Sequence, residues 1–144
     1  MSITTCYDAL RDVVATGVSA KSKYTGIPTS SPQRLPAVIV QWQNTEPASQ
    51  VFSSVVGGKS MRNAMRRSHS FDVVVVLGAT GMIKDEDVAG RTTAQSLLDA
   101  IDDDVELGGA CVYSQVNNIS QSLLELDQQA FMVVRANVTV MEDV

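Results

Sequence analysis

One short stretch decides the fold: Phe71-Asp72-Val73-Val74-Val75-Val76-Leu77. After Asp72 every position is apolar, which indicates burial on both faces of a strand rather than on one. Branched side chains of this kind also favour an extended, pleated backbone. The stretch therefore predicts a strand at the centre of a sheet.

A second strand and a first helix are predicted upstream. Residues 37–42 follow Pro36, the last residue of a loop rich in proline and serine, and their β-branched run indicates a buried strand. The N-terminal helix should make about four turns. Thr5 and Asp8 are placed to cap its start. Its apolar face repeats at spacings of three and four residues, through Ile3, Tyr7, Leu10, Val14 and Val18.

Downstream, the pattern predicts a helix from Asp85 to Asp102 and then further strands. The acids at 85–87 suit the positive N-terminal end of a helix dipole. Strands are expected around residues 110–116, 119–126 and 131–141, the last because apolar and polar side chains alternate there. The buried stripe of the helix is expected at Ala94, Leu98, Ile101 and Val105, with Leu97 at its edge.

The order helix, two or three strands, helix, three strands predicts an α+β fold. We expect a mixed, mostly antiparallel sheet of about five to six strands, with two main helices packed on it. With 144 residues and 44% hydrophobic content the chain can bury one core, so residues 1–144 are expected to form a single domain. Residues 47–68 are expected to form an extended arm or a long hairpin.

Composition narrows the class of protein. The net charge of −5 argues against a dedicated duplex-DNA binder, which needs a strongly positive surface. Cys6 and Cys111 are far apart in sequence, which favours two free thiols in a reducing compartment over a disulfide. The chain lacks a secretory signal pattern and any run near the roughly 20 apolar residues of a membrane span. We therefore expect a cytoplasmic protein, or one assembled in a cytoplasm.

One motif is similar to a nucleotide site. Gly78-Ala79-Thr80-Gly81 follows the central strand, as in the phosphate turn of Rossmann proteins, where backbone amides meet a pyrophosphate at a helix N-terminus. A third glycine would fall near Lys84, however, and too few residues follow for further βαβ units. A plain strand-to-helix loop is favoured, and a nucleotide-binding enzyme is a remote alternative.

Other catalytic and metal-binding patterns are weaker. His69 is the only histidine, so a metal site would have to use carboxylates or two cysteines on separate elements. Ser68 and Ser70 flank His69, but neighbours on a strand point to opposite faces, which does not suit a catalytic triad. We expect a surface or sheet-edge histidine, and no catalytic, cofactor or metal site.

Two segments of opposite charge are the strongest candidates for binding. Several acids lie at the C-terminal end of the second helix. The negative end of the helix dipole makes each of them unfavourable by a few tenths to about 1 kcal/mol. A solvated helix end and a solvated basic loop are the plain interpretations, and a patch facing DNA is another. The sharper hypothesis is a head-to-tail contact between copies that closes into a ring. The candidate contact residues are Lys59, Arg62, Arg66, Arg67, Asp99, Asp102, Asp103, Asp104 and Glu106.

The succession of segments resembles a known family of virion proteins. Several stretches carry the resemblance after the early helix: Leu35-Pro36-Ala37-Val38-Ile39-Val40, a long loop, His69-Ser70-Phe71-Asp72-Val73-Val74-Val75, a helix ending Leu97-Leu98-Asp99-Ala100-Ile101, then Leu107-Gly108-Gly109 and a terminal strand. This layout is similar to that of the tail terminator, or tail-tube capping, proteins of long-tailed bacteriophages. It spans nearly the whole chain and departs from a shorter family member in the extended Gln50–Ser68 stretch.

The resemblance implies a compact α+β subunit that forms a six-membered ring on the last ring of the tail tube. Such a ring stops tube polymerisation and joins the tail to the head-completion complex, at the head-proximal end of the tail in the virion. The implied partners are further copies of the chain, the tail tube protein and a head-completion or neck protein, while DNA passes through the central hole. No cofactor, membrane or enzymatic activity is implied. A neck or tail-completion (head–tail connector) protein is the alternative.

Overall fold

The structure is a computed structural model, described for residues 2–24, 28, 32, 34–48, 66–81, 83 and 85–143. These residues contain two helices and five strands. In chain order the elements are α1 (Ile3–Gly17), β1 (Ser22–Tyr24), β2 (Ala37–Ala48), β3 (Arg66–Ala79), α2 (Glu86–Asp103), β4 (Tyr113–Leu126) and β5 (Gln129–Asp143).

The five strands form one sheet in the order β1-β2-β3-β5-β4. β1 and β2 are parallel, and all other neighbours are antiparallel. Both helices pack against this sheet, so the predicted α+β class, with a mixed and mostly antiparallel sheet, is confirmed. β3 occupies the middle position, as its valine run predicts.

Each face of β3 contributes to a separate apolar cluster. On one face, Val74 and Val76 pack with Ile39 and Phe131. On the other face, here called the helix face, strand residues pack with both helices. Fully burying one valine stabilises the fold by roughly 1.5–3 kcal/mol, so the run of four valines from 73 to 76 contributes strongly to both clusters. The helix-face cluster includes Phe71, Val73, Val75, Leu10, Val14, Leu97 and Ile101.

Two strand predictions are wrong. β1 was not predicted, because three residues show no periodicity and its structure depends on parallel pairing with β2. The predicted strands at 110–116 and 119–126 are one strand, β4. A register shift between Val116 and Asn118 absorbs an extra residue, after which β4 continues to pair with β5. The observed order is therefore helix, three strands, helix, two strands.

The predicted cap of α1 is also wrong. Ser2 is the N-cap, and its Oγ accepts a hydrogen bond from the backbone N–H of Thr5 at 3.1 Å. Thr5 therefore donates to the cap instead of providing it, and Asp8 lies within the helix. The length of α1 agrees with the expected four turns.

α2 is rotated relative to its predicted buried stripe. Leu97 is fully buried, whereas Ala94 and Leu98 are only partly buried. The reason is that α2 packs against α1 as well as against the sheet. The two helices meet closely at Gly17, where a β-carbon would lie 2.3 Å from Cβ of Ala100. Only a glycine permits this approach.

β2 and β3 extend beyond the predicted 37–42 and 71–77 and form a long hairpin, with Ala48 paired to Arg66. Residues 49–65, which contain most of the predicted arm at 47–68, lie outside the described residues. Met141 of β5 pairs with both Ser68 and Tyr113. The end of β2, the start of β3, the end of β5 and the start of β4 therefore share one end of the sheet, here called the hairpin end.

Candidate functional site

A buried polar network links four elements at the hairpin end. Nε2 of His69 in β3 lies 2.7 Å from Oε1 of Glu142 in β5, and Nδ1 of His69 lies 2.7 Å from Oγ1 of Thr45 in β2. Sγ of Cys6 in α1 donates to Oε2 of Glu142 at 3.8 Å. Cys6 and His69 are fully buried, and Glu142 is 2% exposed. Three ionisable side chains are thus enclosed in one contact group.

The periodicity of the elements places these side chains on the helix face. His69 lies two residues before Phe71 in β3, and Glu142 lies two residues after Val140 in β5. Each polar side chain is therefore on the same face as the buried apolar side chains of its strand. Cys6 lies one turn before Leu10 on the buried side of α1. The network is therefore the polar end of the helix-face core.

Thr45 is where the network approaches solvent. Its Oγ1 accepts a hydrogen bond from the indole Nε1 of Trp42 at 2.9 Å, and Trp42 is 49% exposed. A hydroxyl oxygen has two acceptor lone pairs, so Thr45 can accept from Trp42 and from Nδ1 of His69 at once. That arrangement fixes the orientation of the imidazole ring.

Burial controls the chemistry of both thiols. Burial and, as a smaller contribution, the neighbouring carboxylate of Glu142 together raise the pKa of Cys6 to about 12. Burial likewise raises the pKa of Cys111 to about 11. Both groups are therefore poor nucleophiles at neutral pH, because the thiolate is the reactive form. The predicted pair of free thiols is confirmed.

The prediction for His69 is wrong, since the side chain is fully buried in the central strand rather than at a surface or sheet edge. The structure groups one cysteine, the histidine and one glutamate, with the ligand atoms of Cys6, His69 and Glu142 within 4.8 Å of one another. Sequence reasoning missed Cys6 and Glu142 because the network joins opposite ends of the chain. The sequence did contain a signal for their burial, because His69 and Glu142 each lie two positions from a buried apolar residue of the same strand.

The predicted acidic residues lie at the C-terminal end of α2 and in the turn that follows. Two of them have local roles: Oδ1 of Asp99 accepts from Nε2 of Gln95 at 2.8 Å, and Oδ1 of Asp104 accepts from the N–H of Gly108 at 2.9 Å. The second bond stabilises the turn into β4. The solvent-exposed members of the set are Asp99, Asp102, Asp103 and Glu106.

The described part of the basic segment begins at the same end of the sheet. Arg66 and Arg67 open β3, and Arg67 is exposed and lies directly across from Glu142 in the register. Lys59 and Arg62 lie outside the described residues. The acidic turn reaches this end too, because the N–H of Val112 donates to the carbonyl of Met141 at 2.8 Å. The structure therefore brings the acidic turn that follows α2 and the start of β3 to one end of the sheet.

The glycine motif at 78–81 does not have the geometry of a phosphate turn. Its first two residues are the last two of β3, which is antiparallel to both of its neighbours, whereas a Rossmann turn follows a parallel strand. The N–H of Thr80 donates to the carbonyl of Ala130 at 3.0 Å, and the N–H of Gly81 donates to the carboxylate of Glu86 at 3.0 Å. A protein carboxylate thus takes an amide that a phosphate would need. The favoured interpretation as a strand-to-helix loop agrees with this geometry.

Comparison with models of known protein families and with curated protein sequences gives no match to this chain. None of the helices in the described ranges is long and apolar enough to cross a membrane.

Proposed function

We propose that this chain is a tail terminator of a long-tailed bacteriophage. Its copies form a ring that caps the tail tube, stops tube polymerisation and joins the tail to the head-completion or neck protein. The order of sequence segments supports this proposal through its resemblance to that family. The α+β subunit, with two helices on one face of a five-stranded sheet, is compatible with it.

The charge distribution at the hairpin end is the observation that carries the proposal. Asp102 and Asp103 end α2 and Glu106 follows it, and all three are exposed. The basic segment leads into β3 at Arg66 and Arg67. Acids at the C-terminal end of a helix oppose its dipole, so a cationic partner would stabilise them. Surfaces of opposite charge on successive copies set both the attraction and the register of a head-to-tail contact.

Ring symmetry makes this placement useful. Rotation about a ring axis keeps each feature of a subunit at one height along the axis. Because the acidic turn and the start of β3 lie at one end of the sheet, we expect the arginines at positions 66 and 67 to meet the acidic end of the neighbouring copy. The same head-to-tail contact repeated around the ring closes it without leaving an open end.

A charge-swap experiment tests the proposal. One variant carries Lys59→Glu, Arg62→Glu, Arg66→Glu and Arg67→Glu, and a second carries Asp99→Lys, Asp102→Lys, Asp103→Lys and Glu106→Lys. Particle mass is measured by light scattering, with and without the tail tube protein. Each variant alone is expected to lose ring formation, whereas an equimolar mixture of the two is expected to recover association through the swapped contact. Asp104 is left unchanged because it stabilises its own turn.

Lys21→Glu with Arg34→Glu is the matched control, since both side chains are exposed cations outside the two charged sets. It should form rings like the wild type. Unaltered ring formation and normal joining of tails to heads in both charge-reversed variants would contradict the contact. A wild-type chain that remains monomeric even with the tail tube protein would contradict the function itself.

A further inference from the structure

The network of Cys6, His69 and Glu142 contains the ligand types that proteins use for Zn²⁺. Thiolate sulfur, imidazole nitrogen and carboxylate oxygen all bind this cation, at roughly 2.0–2.3 Å. The three ligand atoms come from α1, β3 and β5, and they lie within 4.8 Å of one another. We propose that Cys6, His69 and Glu142 bind one divalent transition-metal cation of the Zn²⁺ class, at the junction of these three elements.

The distances are compatible with a single cation after small shifts. Ligand atoms around a tetrahedral Zn²⁺ are separated by about 3.3–3.7 Å, as follows from bond lengths of about 2.0–2.3 Å. In the network, Nε2 of His69 is 2.7 Å from Oε1 of Glu142, and Sγ of Cys6 is 3.8 Å from Oε2 of the same carboxylate. The histidine–carboxylate pair has to open by about 0.6–1.0 Å to reach that separation. The thiol contact is to the other oxygen of the carboxylate, so a single oxygen of Glu142 has to approach both neighbours.

The charge balance also favours a divalent cation. A thiolate at Cys6 and a carboxylate at Glu142 carry two negative charges in a place where the side chains are buried, and isolated charges in such a place are costly. A cation of charge +2 neutralises them, and the imidazole adds a neutral ligand. Without the metal, Glu142 accepts a hydrogen bond from the thiol of Cys6 and lies 2.7 Å from Nε2 of His69, so it already contacts the two side chains that would become its fellow ligands.

Thr45 supplies the outer contact that metal-binding histidines commonly have. Its Oγ1 lies 2.7 Å from Nδ1 of His69, so Nδ1 can donate to it and Nε2 is left with its lone pair toward the proposed cation. Three protein ligands leave one tetrahedral position for water. The cation would tie the first turns of α1 to the hairpin end of the sheet.

Titration of the metal-free chain tests the site. The protein is stripped with a chelator, and Zn²⁺ or Co²⁺ is added while the melting temperature and the absorption spectrum are followed. We expect one cation per chain, a higher melting temperature with Zn²⁺, and a thiolate-to-cobalt charge-transfer band with Co²⁺. Trp42, the only tryptophan, reports independently because its indole is hydrogen-bonded to Thr45, so its fluorescence should change on binding.

Cys6→Ser and Cys111→Ser form a matched pair. Both thiols are buried, but Sγ of Cys111 donates to the carbonyl of Val105 at 3.6 Å and is outside the ligand group. Cys6→Ser should lose the cobalt band, whereas Cys111→Ser should keep it. Thr45→Val should retain the band and weaken binding by about 10–100-fold.

Two results would overturn the proposal. One is a folded, metal-free wild-type chain that binds neither cation stoichiometrically and shows no cobalt band. The other is a band that survives in Cys6→Ser and disappears in Cys111→Ser. The wild-type spectrum does not depend on any variant, so the test remains valid if a ligand substitution prevents folding. The site is argued separately from the proposed role in the tail, and ring formation plays no part in this test.

Discussion

Replacing Gly17 with alanine is expected to destabilise the fold through a clash between the two helices. The new β-carbon would lie 2.3 Å from Cβ of Ala100, about 1.2 Å closer than the roughly 3.5 Å at which carbon atoms touch. Both atoms are attached to helix backbone and cannot rotate away, so α1 and α2 must separate. Overpacking of this kind costs about 1–3 kcal/mol.

Alanine also gains up to about 1 kcal/mol of helix propensity over glycine, which offsets part of the clash. The net loss in the free energy of unfolding should therefore be about 1–2 kcal/mol. At about 4 °C per kcal/mol for a chain of this size, the melting temperature should fall by roughly 4–8 °C. Urea denaturation followed by circular dichroism measures the free energy, and a thermal scan measures the shift.

A double-mutant cycle isolates the contact. Ala100→Gly removes the clashing atom, after which the next neighbours of the new β-carbon are the carbonyl oxygen of Ser96 at 3.5 Å and Cα of residue 100 at 3.6 Å. Gly17→Ala with Ala100→Gly should therefore be more stable than the two separate losses predict, with a coupling of about 1–3 kcal/mol.

Gly90→Ala is the matched control for Gly17→Ala. Its β-carbon would meet only the exposed side chain of Gln121, whose tip can rotate away. That variant should be neutral or slightly stabilising. If Gly17→Ala were as stable as the wild type, or if Ala100→Gly failed to rescue it, the close packing of α1 on α2 would be refuted.

Two further predictions concern burial. Leu97→Ala should cost about 2–5 kcal/mol because Leu97 is fully buried, and Leu98→Ala should cost clearly less; equal losses in urea denaturation would contradict the described orientation of α2. Burial raises the pKa of Asp72 above its ordinary 3.8 despite the nearby Arg135. The folded state therefore holds the carboxyl proton of Asp72 more tightly than the unfolded state does. The contribution of Asp72 to stability decreases as pH rises through the raised pKa. Asp72→Asn should therefore gain stability relative to the wild type as pH rises from about 4 to about 7, and a difference in the free energy of unfolding that stays constant with pH would contradict this reasoning.

Local pattern predicted most of the secondary structure because burial is encoded in the spacing of apolar residues. The valine run of β3 indicated a strand buried on both faces, and the strand is central. The spacing of Leu10 and Val14 likewise indicated the buried side of α1. The prediction of β1 failed because this strand depends on pairing with β2, which is distant in the sequence. The cap of α1 was misplaced for a local reason, since Ser2 and the predicted Thr5 are both suitable capping residues and lie three positions apart.

The sequence by itself determined the α+β class, the central strand and the segregation of charge into an acidic helix end and a basic segment, since each depends on residues close together in the chain. Only the tertiary structure decided which side of α2 faces the core, and that a single end of the sheet gathers the acidic turn, the start of β3 and a buried polar network. Cys6 and Glu142 are 136 positions apart. Their contact follows from the packing of α1 on the helix face of the sheet, which no local pattern of residues specifies.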